Sequence, residues 1–276
     1  MTDDSEVANH YSNSALLDRI EAALSTAGVR RPLDIDTLAL FDEFHIGGRK
    51  ATDHLLQSLG ISAGSKVLDL GCGLGGPARY VAKTSSARVT GLDLTHDFVA
   101  AGNALTGQAL MVDLVDLQQG SILDMPFADD QFDVAYMIHV GMNISDKPAL
   151  AAEVARVLRP GGTFGIYDVM AVDDARLSYP VPWASGPEHS ALSPPQAYRD
   201  ALTGAGFRVQ TEIDRSEFAL DFFARMMARQ DKAGGVPALG LHLVMGPDTS
   251  DKIGNMVAAL HARQIAPVEM VGVLGS

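Results

Sequence analysis

The residues most able to do chemistry cluster at positions 67–76, VLDLGCGLGG. An apolar run, Val67 to Leu70, feeds straight into glycines at 71, 73, 75 and 76. Glycine has no Cβ, so a ligand can lie against bare backbone in such a turn. Positions 71, 73 and 76 satisfy the spacing of a dinucleotide-binding turn, in which a helix N-terminus attracts a pyrophosphate. Asp69 opposes that ligand, because a carboxylate two residues before Gly71 would repel a pyrophosphate. It suits an ammonium group, directly or through water, as in the amino-acid tail of S-adenosylmethionine. It could also accept N–H bonds from the turn, and the two roles are compatible. Asp93 ends the next apolar run, 22 residues after Gly71. At that offset an acid hydrogen-bonds ribose hydroxyls of either ligand.

Proton chemistry needs a group near the carboxyl ends of the later strands, where ligands of open α/β sheets bind. His139 follows the apolar run 133–138 and Asp168 ends the run 163–168. A histidine there can titrate near neutrality and serve as a general base, or only shape the pocket. Asp168 could point into the same crevice to hold an amine or orient a histidine, or cap the next turn. Trp183, Tyr179 and Tyr11 could build an aromatic wall for a cationic or ring substrate, or simply pack. Cys72, with no base suggested beside it, reads as a small buried residue.

Alternating strands and helices must position these groups. Strands are predicted at 66–70, 87–93, 114–118, 133–138, 163–168, 207–213 and 267–274. Helices are predicted at 14–26, 48–59, 76–83, 94–111, 146–158, 195–205, 216–232 and 250–263. FDEFHIGG at 41–48 reads as a shaped loop. The fold class is therefore α/β: a doubly wound, mostly parallel seven-stranded Rossmann-like sheet with N-terminal helices. Residues 170–193, rich in proline, are too long for an ordinary connection and too apolar for a linker, so a cap insertion after strand five is expected. The expected division is an N-terminal helical lid at 1–60 and a main domain at 61–276.

The chain has 276 residues, is 47% hydrophobic and carries a net charge of −13. An acidic surface repels nucleic acid and anionic membranes, so neither is an expected partner. A single cysteine points to a reducing compartment. The acidic N-terminus resembles no signal peptide, and no long apolar span occurs. A cytoplasmic monomer or homodimer is the expectation, with no metal site.

VLDLGCGLGG, GLDL at 91–94, GSILDMPF at 120–127, FDVAYMI at 132–138 and VLRPGGTFGIYD at 157–168 resemble, in order and spacing, the signature segments of class I S-adenosylmethionine-dependent methyltransferases. FDEFHIGGRKAT at 41–52, GLGGPARYVA at 73–82 and the stretch 242–270 resemble the sarcosine/dimethylglycine N-methyltransferase-like small-molecule enzymes. The resemblance implies methyl transfer to N or O of a small molecule, with S-adenosylhomocysteine as product. It places Gly71 and Gly73 along the methionine tail, Asp93 on the ribose, Leu94 and Ile122 against adenine, and Ile138 beside the methionine. Ser121 stands where many relatives carry an aspartate for the adenine amino group, and its hydroxyl can accept the same bond. His45, Gly47 and Gly48 would close over the cofactor, with Tyr11 folding in from the N-terminal side. A small carboxylate substrate would need an arginine, with Arg49 and Arg176 the nearest candidates. Asn143 stands where several relatives have histidine. Two rival readings are an NAD(P)-dependent oxidoreductase, from the glycine spacing alone, and a methyltransferase-like protein that binds without catalysis.

Overall fold

The computed structural model describes residues 15–172, 176–233 and 237–275, with side chains left out at 230–233. Tyr11 lies outside the described residues. Seven strands form one sheet: β1 Lys66–Leu70, β2 Arg88–Asp93, β3 Val115–Gln119, β4 Phe132–Ile138, β5 Leu158–Ala171, β6 Phe207–Asp214 and β7 Ile265–Leu274. Their order is β3-β2-β1-β4-β5-β7-β6, and β7 alone runs antiparallel to its neighbours. The helices are α1 Leu16–Thr26, α2 Ile35–Asp42, α3 Arg49–Gln57, α4 Gly76–Ser85, α5 His96–Gln108, α6 Lys147–Val157, α7 Pro195–Gly204, α8 Ser216–Ala233, α9 His242–Met245 and α10 Thr249–His261. No helix among the described residues is long and apolar enough to cross a membrane.

Strand periodicity decides which way each functional side chain faces. In β1, Leu68 and Leu70 enter the core under α6 and α7, while Val67 enters the core under α3 and α4. Asp69 shares the parity of Val67 and pairs laterally with Tyr136 of β4. Tyr136, Ile138 and Tyr167 lie in that same α3/α4 layer. Both layers are dense, and each fully buried leucine contributes roughly 1.5–3 kcal/mol. The chain winds outward from β1 through β2 and β3, then returns to start β4 on the other side. Carboxyl ends diverge at that reversal, which leaves a crevice beyond β1 and β4.

Two helices, α2 and α9, are absent from the sequence reading, and β5 is longer than predicted at both ends. Residues 35–42, where no helix is predicted and only 41 and 42 fall in the predicted loop, form α2, with Ile35, Leu38 and Phe41 buried. An eight-residue helix is too short to signal itself through periodicity. It is held by tertiary contacts, including a buried ion pair from its last residue, Asp42, to Arg79 of α4.

Candidate active site

A cavity of about 1620 Å³, its mouth included, opens beyond the ends of β1, β2, β3 and β4. The glycine turn forms one wall. Gly71 (φ +72°) and Gly73 (φ +52°) are both left-handed, but for different reasons. A Cβ on Gly71 would meet Val140 Cγ2 at 2.3 Å, whereas one on Gly73 would meet nothing within 4 Å. Gly71 therefore lets a neighbour approach, and Gly73 presents bare backbone to open space. Asp93 pins the turn: its Oδ2 accepts the Gly73 N–H and its Oδ1 accepts the Thr95 N–H, each at 2.8 Å. Burial still holds its carboxyl above the usual range.

Asp69 also lines the cavity and is 2% exposed. Its Oδ2 is buried without a hydrogen-bond partner, and the hydroxyl of neighbouring Tyr136 lies beside the carboxyl. Burial pushes the Asp69 carboxyl up to about 8, only partly offset by the Tyr136 hydroxyl beside it. A buried acid with unused acceptor capacity is costly unless something arrives to pair it. An ammonium-bearing ligand fits that requirement, and a pyrophosphate does not. Asp42 is a second such acid, with Oδ2 on Arg79 and Oδ1 unpaired. Desolvation pushes its carboxyl up to about 6 despite the guanidinium.

His45 and His139 line the same cavity, ring centroids 5.9 Å apart. His45 Nε2 lies 3.1 Å from both Gly48 O and Thr52 Oγ1. Desolvation lowers His45 to about 4 and takes His139 well below its ordinary value. Both rings are thus neutral near pH 7. His139 is the first residue past β4, with φ +55°, and its N–H donates to Tyr167 O at 2.8 Å. A left-handed non-glycine residue costs roughly 1–3 kcal/mol and persists only where its surroundings impose it. Leu94, Ser121, Ile122 and Ile138 line the cavity too. The Ser121 hydroxyl also accepts the Leu123 N–H at 3.3 Å.

Other expected residues lie elsewhere. Asp168 does not line the cavity. It is fully buried, accepts the Tyr198 hydroxyl at 2.6 Å and bonds its neighbour Val169 N–H. Its side chain falls on the α6/α7 face of β5, the parity of Phe164 and Ile166, rather than into the crevice. Gly47 and Gly48 do not line it either; a Cβ on Gly47 would strike Phe218, so this pair shapes the turn behind His45. Arg49 is engaged by Glu43, Asp36 and the carbonyl of Ile35, and Arg176 is exposed. Neither lines the cavity. Asn143 ties the turn after β4 to the segment after β5, donating to Trp183 O at 2.9 Å. Trp183 lines the cavity, whereas Tyr179 packs in the apolar cluster beside it. The sequence reading missed Asp42 and the apolar wall from α8 and α10. The FFARMM run at 222–227, with more large apolar residues than a surface helix needs, was the available signal for the second.

A doubly wound sheet with a glycine turn after β1 and a half-buried acid ending β2 defines a Rossmann-like fold, the kind that binds nucleoside-bearing ligands at its switch point. Residues 68–166 match the methyltransferase domain family. The chain thus carries a class I S-adenosylmethionine-dependent methyltransferase domain. A sterol 24-C-methyltransferase of Gibberella zeae is 38% identical over 120 residues, 44% of this chain and 32% of that protein. The chain spans about a third of the length of that curated relative. Among solved structures, geranyl diphosphate C-methyltransferase from Streptomyces coelicolor A3(2) superposes with a TM-score of 0.70 at 17% identity, covering 98% of this chain and 97% of that one. A sarcosine dimethylglycine methyltransferase structure from Galdieria sulphuraria gives 0.63 at 18% identity, covering 82% and 84%. At such identities these structures share the fold.

Proposed function

We propose that this protein transfers a methyl group from S-adenosylmethionine to a nucleophilic atom of a small molecule, acting as a cytoplasmic monomer or homodimer. The observation that carries the reading is the bare backbone of Gly73, held by Asp93, in a cavity also lined by buried Asp69, whose Oδ2 has no hydrogen-bond partner. Asp69 would hold the ammonium group. Asp93 keeps lone pairs for ribose hydroxyls after bonding Gly73 and Thr95. Leu94 and Ile122 would flank adenine, Ser121 would accept from its amino group, and Ile138 would pack on the methionine. The cofactor supplies a methyl group on a cationic sulfonium, a good leaving group that departs as a neutral thioether. The protein must align the acceptor in line with that bond and exclude water, and positioning of this kind can be worth roughly 7–11 kcal/mol.

Titration calorimetry tests the cofactor. S-Adenosylhomocysteine should bind and NADH should not; the reverse would make the glycine turn a dinucleotide site. Protons supply a second readout. Asp69, raised to about 8, is mostly protonated at pH 7, and pairing with an ammonium requires its ionised form. Binding at pH 7 should therefore release about one proton, seen as a buffer-dependent enthalpy in Tris against phosphate. Asp69→Asn should abolish the release. A wild type that exchanges no proton removes Asp69 from the ammonium site.

His139 would accept the proton of a hydroxyl or amine acceptor. A general base contributes typically about 10²–10⁴-fold, so His139→Ala should lower kcat by that order with little change in cofactor affinity. Because burial keeps the ring neutral well below its ordinary value, the wild-type kcat should not fall on its account as pH drops from 8 to 6. A wild-type rate in the variant, or an acid limb near 6.5 that the variant lacks, would contradict this role.

A further inference from the structure

We propose that the half of the cavity facing away from the glycine turn binds an apolar, non-anionic methyl acceptor, one rich in hydrocarbon and without carboxylate or phosphate. The inference rests on the methyl-transfer reading and narrows its substrate. Phe222, Phe223 and Met226 of α8, Ile253 and Met256 of α10, and Trp183 all line the cavity and belong to one apolar cluster that holds no residue of the glycine turn, and they define this half. All six lie after residue 166, outside the segment that matches the methyltransferase domain. Unbranched methionine and flat aromatic side chains adapt to hydrocarbon shapes and offer an anion nothing.

The polar groups sort the same way. The acidic side chains lining the cavity are Asp42, Asp69 and Asp93, all grouped around the glycine turn, and no lysine or arginine lines it among the described residues. Cations close to the lining are committed elsewhere. Lys147 bonds the carbonyls of Ile144 and Ala191, Lys252 bonds Met245 O and pairs with Asp248, and Arg79 is held by Asp42, Leu74, Gly102 and Thr106. The undescribed side chains include one cation in the sequence, Lys232, against six acids. Even the polar atoms of the apolar wall face protein: Trp183 Nε1 donates to Ser190 Oγ at 3.0 Å, and Trp183 O accepts from Asn143. An anionic head placed here would lose its hydration and gain no counter-charge. A zwitterion as small as sarcosine would find neither an anchor for its carboxylate nor apolar surface of its own to bury.

A matched set of probes tests this: geraniol, geranic acid and geranyl diphosphate share one hydrocarbon and differ in head group, and sarcosine carries no hydrocarbon chain. Each is titrated into the protein with saturating S-adenosylhomocysteine and again without it. Geraniol should bind, both anions should bind at least about tenfold more weakly, and sarcosine should show no heat. Met226→Lys places an ammonium in the apolar half and should shift the geranic acid-to-geraniol affinity ratio toward the acid by about tenfold or more. S-Adenosylhomocysteine titration of the same variant checks its fold. Tighter binding of either anion or of sarcosine than of geraniol overturns the proposal, as does failure of every hydrocarbon probe. Loss of S-adenosylhomocysteine binding in the wild type would instead sink the cofactor reading, while the cofactor-free series still reports the chamber's preference.

Discussion

Replacing Arg79 with methionine should remove about 3–5 kcal/mol of unfolding free energy, the usual cost of stranding one partner of a buried ion pair. Arg79 is fully buried. Its guanidinium joins three helices: it donates to Asp42 of α2 at 2.7 Å, to Leu74 O before α4 at 2.7 Å, and to Gly102 O and Thr106 Oγ1 of α5 at 3.2 and 2.8 Å. Methionine fills similar volume but satisfies none of these acceptors. Asp42 would suffer most, because burial already lifts its carboxyl to about 6 with the cation in place. Without the cation its folded-state pKa must rise further. A carboxyl whose folded pKa exceeds its unfolded value loses stability as pH rises from the unfolded pKa through the folded one. The variant should thus be closer to wild type at pH 5 than at pH 8. Denaturant titrations at the two pH values measure both effects. Adding Asp42→Leu should recover much of the loss, since a packed apolar pair often matches a buried salt bridge. A single-variant loss under about 1 kcal/mol would mean that the pair contributes little.

Asp93→Ala should weaken S-adenosylhomocysteine binding by roughly tenfold to more than a hundredfold, from about 1.5–3 kcal/mol for each charged hydrogen bond lost. The side chain acts twice. It would bond the ribose, and it already holds the Gly73 and Thr95 N–H groups at 2.8 Å, fixing the shape of the turn. Alanine leaves both donors without their acceptor and frees the turn to relax away from the open side of Gly73. Asp93→Asn retains one acceptor oxygen, so it should restore part of the affinity. Calorimetry on the two variants, with thermal melting of the unliganded proteins, separates ligand contact from turn geometry. Affinity within threefold of wild type in Asp93→Ala would remove this residue from the ligand site.

Much of the geometry around the glycine turn was legible because its signals are local. Gly71 and Gly73 follow β1 directly, Asp93 ends β2, and Ile138 and His139 sit where β4 stops. Each position depends on an element end that periodicity marks within a residue or two. Asp168 shows the limit of such reasoning. It also ends a strong apolar run, but β5 continues to Ala171, so Asp168 is an interior strand residue whose parity sends it to Tyr198. Gly47 and Gly48 are expected from the resemblance to close over the cofactor, yet Phe218, some 170 residues later, is what demands the missing side chain of Gly47.

The linear order of residues was enough to determine the doubly wound sheet, its switch point and the acids around the glycine turn, because hydrophobic period and turn chemistry act over a few neighbouring residues. Tertiary structure alone decided three things: that α2 exists and is clamped by Arg79, that Asp69 is buried with acceptor capacity to spare, and that α8 and α10 turn phenylalanine and methionine into the same cavity. Each joins residues far apart in the chain, and burial, the property that shifts Asp69 and empties the far half of cations, exists only once those segments have packed together.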